Sequence, residues 1–122
     1  MSERTAEFFE KMQDFFPSTK ETYIESIKEY GEVLETIVLE DIFMPIILNL
    51  LSENREQQLL EDIFKYFEEI VNGNDSHLIN VLSITALEML GNDKAVLENA
   101  KQYMGAKTTV LQTKVDEELG RI

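Results

Sequence analysis

The spacing of apolar positions makes this chain helical from end to end. In residues 2–16, Phe8, Phe9, Met12, Phe15 and Phe16 recur at three- and four-residue intervals, which gathers them on one face of a helix. Pro17 ends that segment. Ser18 followed three places on by Glu21 has the form of a capping box, and it predicts a second helix with Tyr23, Ile24, Ile27, Tyr30 and Leu34 inward, bent or interrupted at Gly31. Between positions 35 and 51 the apolar residues surround the axis, so this helix must be covered on several sides; Pro45 inside it deletes a backbone hydrogen bond and forces a kink or break. Asn54 is the expected cap of a conventionally amphipathic helix over 55–72. Its inner face includes Leu60, Ile63, Phe64 and Phe67, and its outer face Glu61, Asp62, Lys65, Glu68 and Glu69. A second helix apolar on most sides spans 76–90, with Ile84 and Leu87 among its expected core residues. An amphipathic helix follows over 94–104. A last one, 109–119, is expected to cap the stack through Leu111, Val115 and Leu119.

The seams repeat. Gly-Asn-Asp occurs at 73–75 and again at 91–93, and the pattern predicts Gly73 and Gly91 at positive φ, with Asp75 and Asp93 capping the helices that follow. Leu39-Glu40-Asp41-Ile42-Phe43 returns as Leu60-Glu61-Asp62-Ile63-Phe64. Residues 37–104 thus read as helices joined by tight turns at a near-constant interval. No stretch has strand alternation with hairpin turns. The expected class is all-α: a compact antiparallel helical repeat (HEAT-like) of six to seven helices, in a single domain over 1–122.

Composition narrows the chemistry. The absence of cysteine excludes thiol redox catalysis and thiolate metal sites, and it suits a reducing compartment. The polar, acidic start lacks the basic stretch and apolar run of a signal peptide, and the most apolar segment, 42–51, is too short to span a bilayer. A cytoplasmic location is therefore expected. The charge changes the picture most: 24 acidic against 11 basic residues give a formal net charge of −13, so neither nucleic acid nor an anionic membrane is an expected partner. The N-terminal half holds most of the excess, and a cationic partner would be drawn there first. Acidity as a solubility device is the plainer explanation.

Candidate catalytic chemistry is sparse. His77, the single histidine, stands in the first turn of a helix without the Glu-x-x-His or His-x-x-x-His spacing of a metal site, and it suits a surface or capping role. Gly105-Ala106-Lys107-Thr108 lacks the upstream glycine and strand of a phosphate loop and reads as a helix stop and restart. No catalytic residue, metal or cofactor is expected, and the chain is not expected to be an enzyme. Carboxylates remain. Glu21, Glu25, Glu29 and Glu32 are spaced to share one helix face, and Glu61, Asp62, Glu68 and Glu69 form a second strip. Either strip is a candidate surface for a basic partner; a merely solvated face is the alternative. The second strip is favoured slightly, because it lies inside the repeat where stacking holds it rigid.

The run Phe67-Glu68-Glu69-Ile70-Val71-Asn72-Gly73-Asn74-Asp75, then Asn80-Val81-Leu82 and Tyr103-Met104-Gly105-Ala106-Lys107-Thr108, resembles a group of small acidic HEAT-like bacterial proteins. Some of these look like immunity proteins of polymorphic or contact-dependent growth-inhibition toxin systems. The resemblance implies a module that binds a cognate toxin domain. Charge suggests which kind: a nuclease must present a cationic cleft to phosphate, and an acidic helical face can occlude that cleft. The alternative is a helical-repeat adaptor for some other protein.

Overall fold

Seven helices and no strand account for residues 2–122, the part of the chain that the computed structural model describes; Met1 lies outside it. Helix α1 (Glu3–Phe15) is opened by Ser2, whose hydroxyl accepts the Thr5 N–H at 3.1 Å. A 3-10 turn, Pro17–Thr19, leads into α2 (Lys20–Tyr30). The expected capping box is not formed. Ser18 lies within the 3-10 turn, and Thr19 takes the cap position with its hydroxyl donating back to the Phe16 carbonyl at 2.6 Å. Gly31, at φ 76, ends α2 in the left-handed conformation that a side chain would disfavour. Leu34 and Glu32 therefore fall outside α2.

Helix α3 (35–53) runs through Pro45 without a break. A proline cannot donate to the carbonyl four residues back, and its ring crowds that carbonyl. Here the preceding turn, Leu39–Phe43, widens to π geometry, with the Met44 N–H bonded to the Leu39 carbonyl, and Pro45 sits in the first turn of the α segment Met44–Glu53. The second copy of the repeated pentapeptide, 60–64, has no proline after it and lies in regular α-helix within α4 (Gln57–Asn72). Helix α5 (76–90) also contains a π turn, Leu82–Leu87, which packs against the one in α3. Two further helices, α6 (Lys94–Lys101) and α7 (Ala106–Glu118), complete the fold.

The seams at 73–75 and 91–93 are helix boundaries as expected, and both aspartates cap. Asp75 Oδ1 accepts from the Leu78 N–H at 3.0 Å; Asp93 Oδ1 accepts from Ala95 and Val96 at 2.9 and 3.2 Å. The glycines do not behave as expected. Gly73 is extended at φ −79 and ψ −169, and Gly91 is right-handed at φ −77, so neither is required for a left-handed turn. Gly91 is instead needed for close approach: a Cβ there would overlap the Asp116 carboxylate and the Arg121 guanidinium. Left-handed backbone occurs at Asn54 and Glu56. Asn54 is thus the C-cap of α3 and not the N-cap of α4, and its side-chain oxygen accepts from the Tyr103 hydroxyl at 2.8 Å.

The core is one cluster that joins all the helices. Phe8 and Phe9 insert α1 between two groups of aromatics: Phe8 meets Tyr66 and Phe67 of α4, and Phe9 meets Tyr23 of α2 and Phe43 of α3. The densest runs of buried residues lie on α3 and α5, yet neither helix is covered all round. Ile37 is 39% exposed and Ile84 47% exposed, which corrects the placement of Ile84 in the core; Leu87 is fully buried. Helix α7 differs more. The residues it buries are Thr108, Gln112, Val115 and Asp116, whereas Leu119 is exposed and Leu111 only partly covered. Hydrogen bonding offsets most of that polar burial: Gln112 Nε2 donates to the Leu87 carbonyl at 2.9 Å and Arg121 pairs with Asp116 at 3.1 Å, while Gln112 Oε1 is left without a partner among the described residues.

Candidate functional site

Helix α2 covers only part of its own apolar stripe. Tyr23 is buried and Ile27 partly so, but Ile24 and Tyr30 stand 51% and 50% exposed, because α2 stops at Gly31 and has no helix on its outer side at those positions. Between α2 and α3 lies a groove of about 240 Å³ whose floor is Ile37, Val38 and Ile42. Its polar rim includes Glu25 and Glu29 from α2 and Asp41 from α3, and no lysine or arginine lines it. Glu25 and Glu29 lie one helical turn apart, a spacing at which like charges repel by a few tenths of a kcal/mol. Glu21 continues the same α2 face as an exposed residue. Glu32 does not, since Gly31 turns the chain before it. Among the described residues, none of Glu21, Glu25, Glu29 and Asp41 has an ion-pair partner within 4.0 Å.

The second strip is divided by the fold. Glu61, Asp62 and Glu69 are exposed on α4, where Asp62 and Glu69 share a shallow hollow with Lys11, Lys65, Phe15 and Tyr66. The two ammonium groups there moderate the acidic field, and Lys11 lies 5.2 Å from the centre of the Phe15 ring. Burial and the carboxylates of Glu7 and Glu69 raise the pKa of Tyr66, with Arg4 opposing them. Glu68 turns inward. It caps α7 from across the molecule, accepting the Lys107 and Thr108 N–H groups at 3.0 and 2.8 Å and the Thr108 hydroxyl at 2.7 Å, while Asn72 donates to it at 3.2 Å. Burial alone would raise its pKa; these donors outweigh burial and hold the carboxyl below its ordinary value. The segment 105–108 is a helix start, as its sequence suggests, but its cap comes from Glu68.

His77 opens α5 and bonds Glu35 Oε2 at 2.6 Å, linking the beginnings of α3 and α5. Among the described residues no three potential metal ligands converge. Sequence reasoning missed Asp41, Tyr30 and Ile37 as groove residues. A signal for Asp41 was present: Glu40-Asp41 is a charged pair in an otherwise apolar stretch and marks the outward side of α3. Tyr30 had none, because only the position of α2 at the edge of the fold exposes it.

Fold and groove together define a small all-helical protein with an acid-rimmed, apolar-floored groove. It belongs to the family described as domain of unknown function (DUF7674), which matches residues 9–116. Over 75 residues the chain is 33% identical to the ATP synthase subunit delta of Rubrobacter xylanophilus, a stretch that makes up 59% of this chain and 40% of that protein. The chain thus spans less than half the length of that relative. No solved structure matches it. None of its helices is long and apolar enough to cross a membrane, among the described residues.

Proposed function

We propose that this protein is an immunity-type binding module that neutralises a basic toxin domain, of nuclease type, by occluding its cationic cleft. The observation that supports this most is the α2–α3 groove. It sets three carboxylates free of counter-ions around an apolar floor, next to a half-exposed tyrosine. That pairing of a charged rim with an aromatic anchor suits a protein partner, since the rim steers approach and the anchor slows departure. Glu25, Glu29, Asp41 and Glu21 form the first contact surface. Glu61, Asp62 and Glu69 form a weaker one beside Lys11 and Lys65, and Glu68 is committed to the fold. The whole molecule's charge of −13 would make association fast and salt-sensitive.

The test is co-expression of this protein with the C-terminal domain of the protein encoded immediately upstream, scored as growth. The native chain should restore growth, and a Glu25→Lys/Glu29→Lys variant with unchanged thermal stability should not. Rescue by both would move the interface elsewhere, and rescue by neither would sink the immunity reading. The likeness to a subunit of an ATP synthase supports a second reading, in which the same surface makes the module an adaptor within an assembly. In that case pull-down would recover a stable complex while no neighbouring reading frame is toxic.

A further inference from the structure

We infer that the partner is held by a longer channel, which continues from the acidic groove across α5 to α7 and fits one cationic amphipathic helical segment. The inference rests on the proposed docking of a basic protein at the α2–α3 groove. Ile37 lines that groove and also a second hollow of about 340 Å³, where Leu34, His77 and Ile84 are neighbours. Asn80 and Ile84 in turn line both the second hollow and a third of about 360 Å³, which includes Leu111 and Leu119. The three hollows therefore lie side by side, each separated from the next by side chains that line both, with the half-exposed Ile37, Ile84 and Leu119 along the row.

Charge complementarity selects the occupant. Glu25, Glu29 and Asp41 flank one end, and Glu88 and Glu118 flank the other with Lys114 as the single base there. In the middle, Glu35 is bonded to His77. The surface thus carries an isoleucine and leucine run, interrupted by His77, Asn80 and Ser83, with mostly acidic flanks, which matches a helix with an apolar stripe bordered by lysine or arginine. The two parts have separate roles: the acidic end governs capture, and the apolar run governs residence.

The experiment uses the full chain, isotopically labelled for backbone-amide NMR, with three synthetic helical peptides of equal length: lysine/leucine amphipathic, lysine/glutamine, and glutamate/leucine. The lysine/leucine peptide should shift amides around Glu25 to Asp41 together with those of Asn80, Ile84 and Leu111. The lysine/glutamine peptide should shift only the first group, and the glutamate/leucine peptide neither. Ile84→Asn, a neutral change at an exposed position, should weaken the lysine/leucine peptide about tenfold and leave lysine/glutamine binding unchanged. If the lysine/leucine peptide shifts only the α2–α3 amides, the channel is overturned while the acidic docking groove stands. Shifts confined to α5 and α7 overturn the channel as a single site. If neither cationic peptide perturbs the α2–α3 amides, the proposed groove fails along with its extension.

Discussion

The Glu68 carboxylate ties the start of the last helix to α4, in the middle of the molecule. Its two oxygens accept the Lys107 and Thr108 N–H groups in the first turn of α7 and the Thr108 hydroxyl, where the positive end of the helix dipole also favours a negative charge. The resulting depression of its pKa has a definite sign in stability. Folding gains from the ionised form, so the contribution is complete above the ordinary value of 4.5 and is lost as pH falls through the lower folded value. Glu68→Gln should therefore lower stability at neutral pH, by about 0.5–1 kcal/mol since solvent screens this partly exposed carboxylate, and flatten the loss of stability below 4.5, as measured by urea unfolding at a series of pH values. An unchanged pH profile would remove the capping role. Gly105 and Gly91 belong to the same scale. At each, the missing Cβ makes room for a neighbour: Glu68 beside Gly105, and the Asp116–Arg121 pair beside Gly91. No spacing rule distinguishes that use of glycine from a helix stop.

Among the elements, α3 and α5 combine nearly all-round apolarity with π turns that face one another. In α3 the wider turn lies just before Pro45 and frees the carbonyl its ring would crowd; α5 has no proline, and its π turn is opposite the first. The exposed edge of α5 is functionally informative because it separates two isoleucine- and leucine-type residues that look alike in sequence. Leu87→Ala should cost about 2–5 kcal/mol, since a fully buried side chain leaves a cavity behind it. Ile84→Ala should stay within roughly 0.5 kcal/mol of the parent, as surface substitutions usually do. Thermal and urea unfolding of both variants checks this, and similar losses for the two would place Ile84 in the core after all.

For the whole molecule, net charge sets behaviour that no single contact controls. With −13 on 122 residues and ion pairs mostly at the surface, self-repulsion disfavours the compact state, and dissolved salt screens it. The melting temperature should rise as sodium chloride goes from about 10 mM to 300 mM, over which range the Debye length falls from ~30 Å to below 8 Å. A fall in melting temperature over that range would mean that attractive pairs outweigh the repulsion. The same screening should slow association with a basic partner, so stability and on-rate are expected to respond to salt in opposite directions.

Periodicity determined the all-helical class, the helix boundaries at 73–75 and 91–93, the capping by Asp75 and Asp93, and the position of the densest apolar helices. These depend on local spacing and on short-range hydrogen bonds, both written in consecutive residues. Tertiary structure alone decided which acids are free. Glu68 and Glu69 are adjacent in sequence, yet one is bonded to a helix start about forty positions away and the other faces solvent. It also gathered Asp41 with Glu25 and Glu29, exposed Ile84, and buried Gln112 and Asp116 where Leu119 was expected. Each of these depends on which helix lies opposite, and a chain's local pattern carries no record of its distant neighbour. The pentapeptide that occurs twice makes the point within one molecule: Leu-Glu-Asp-Ile-Phe is a π turn at 39–43 and an α-helix at 60–64, and what differs is the proline that follows the first and the helices against which each is packed.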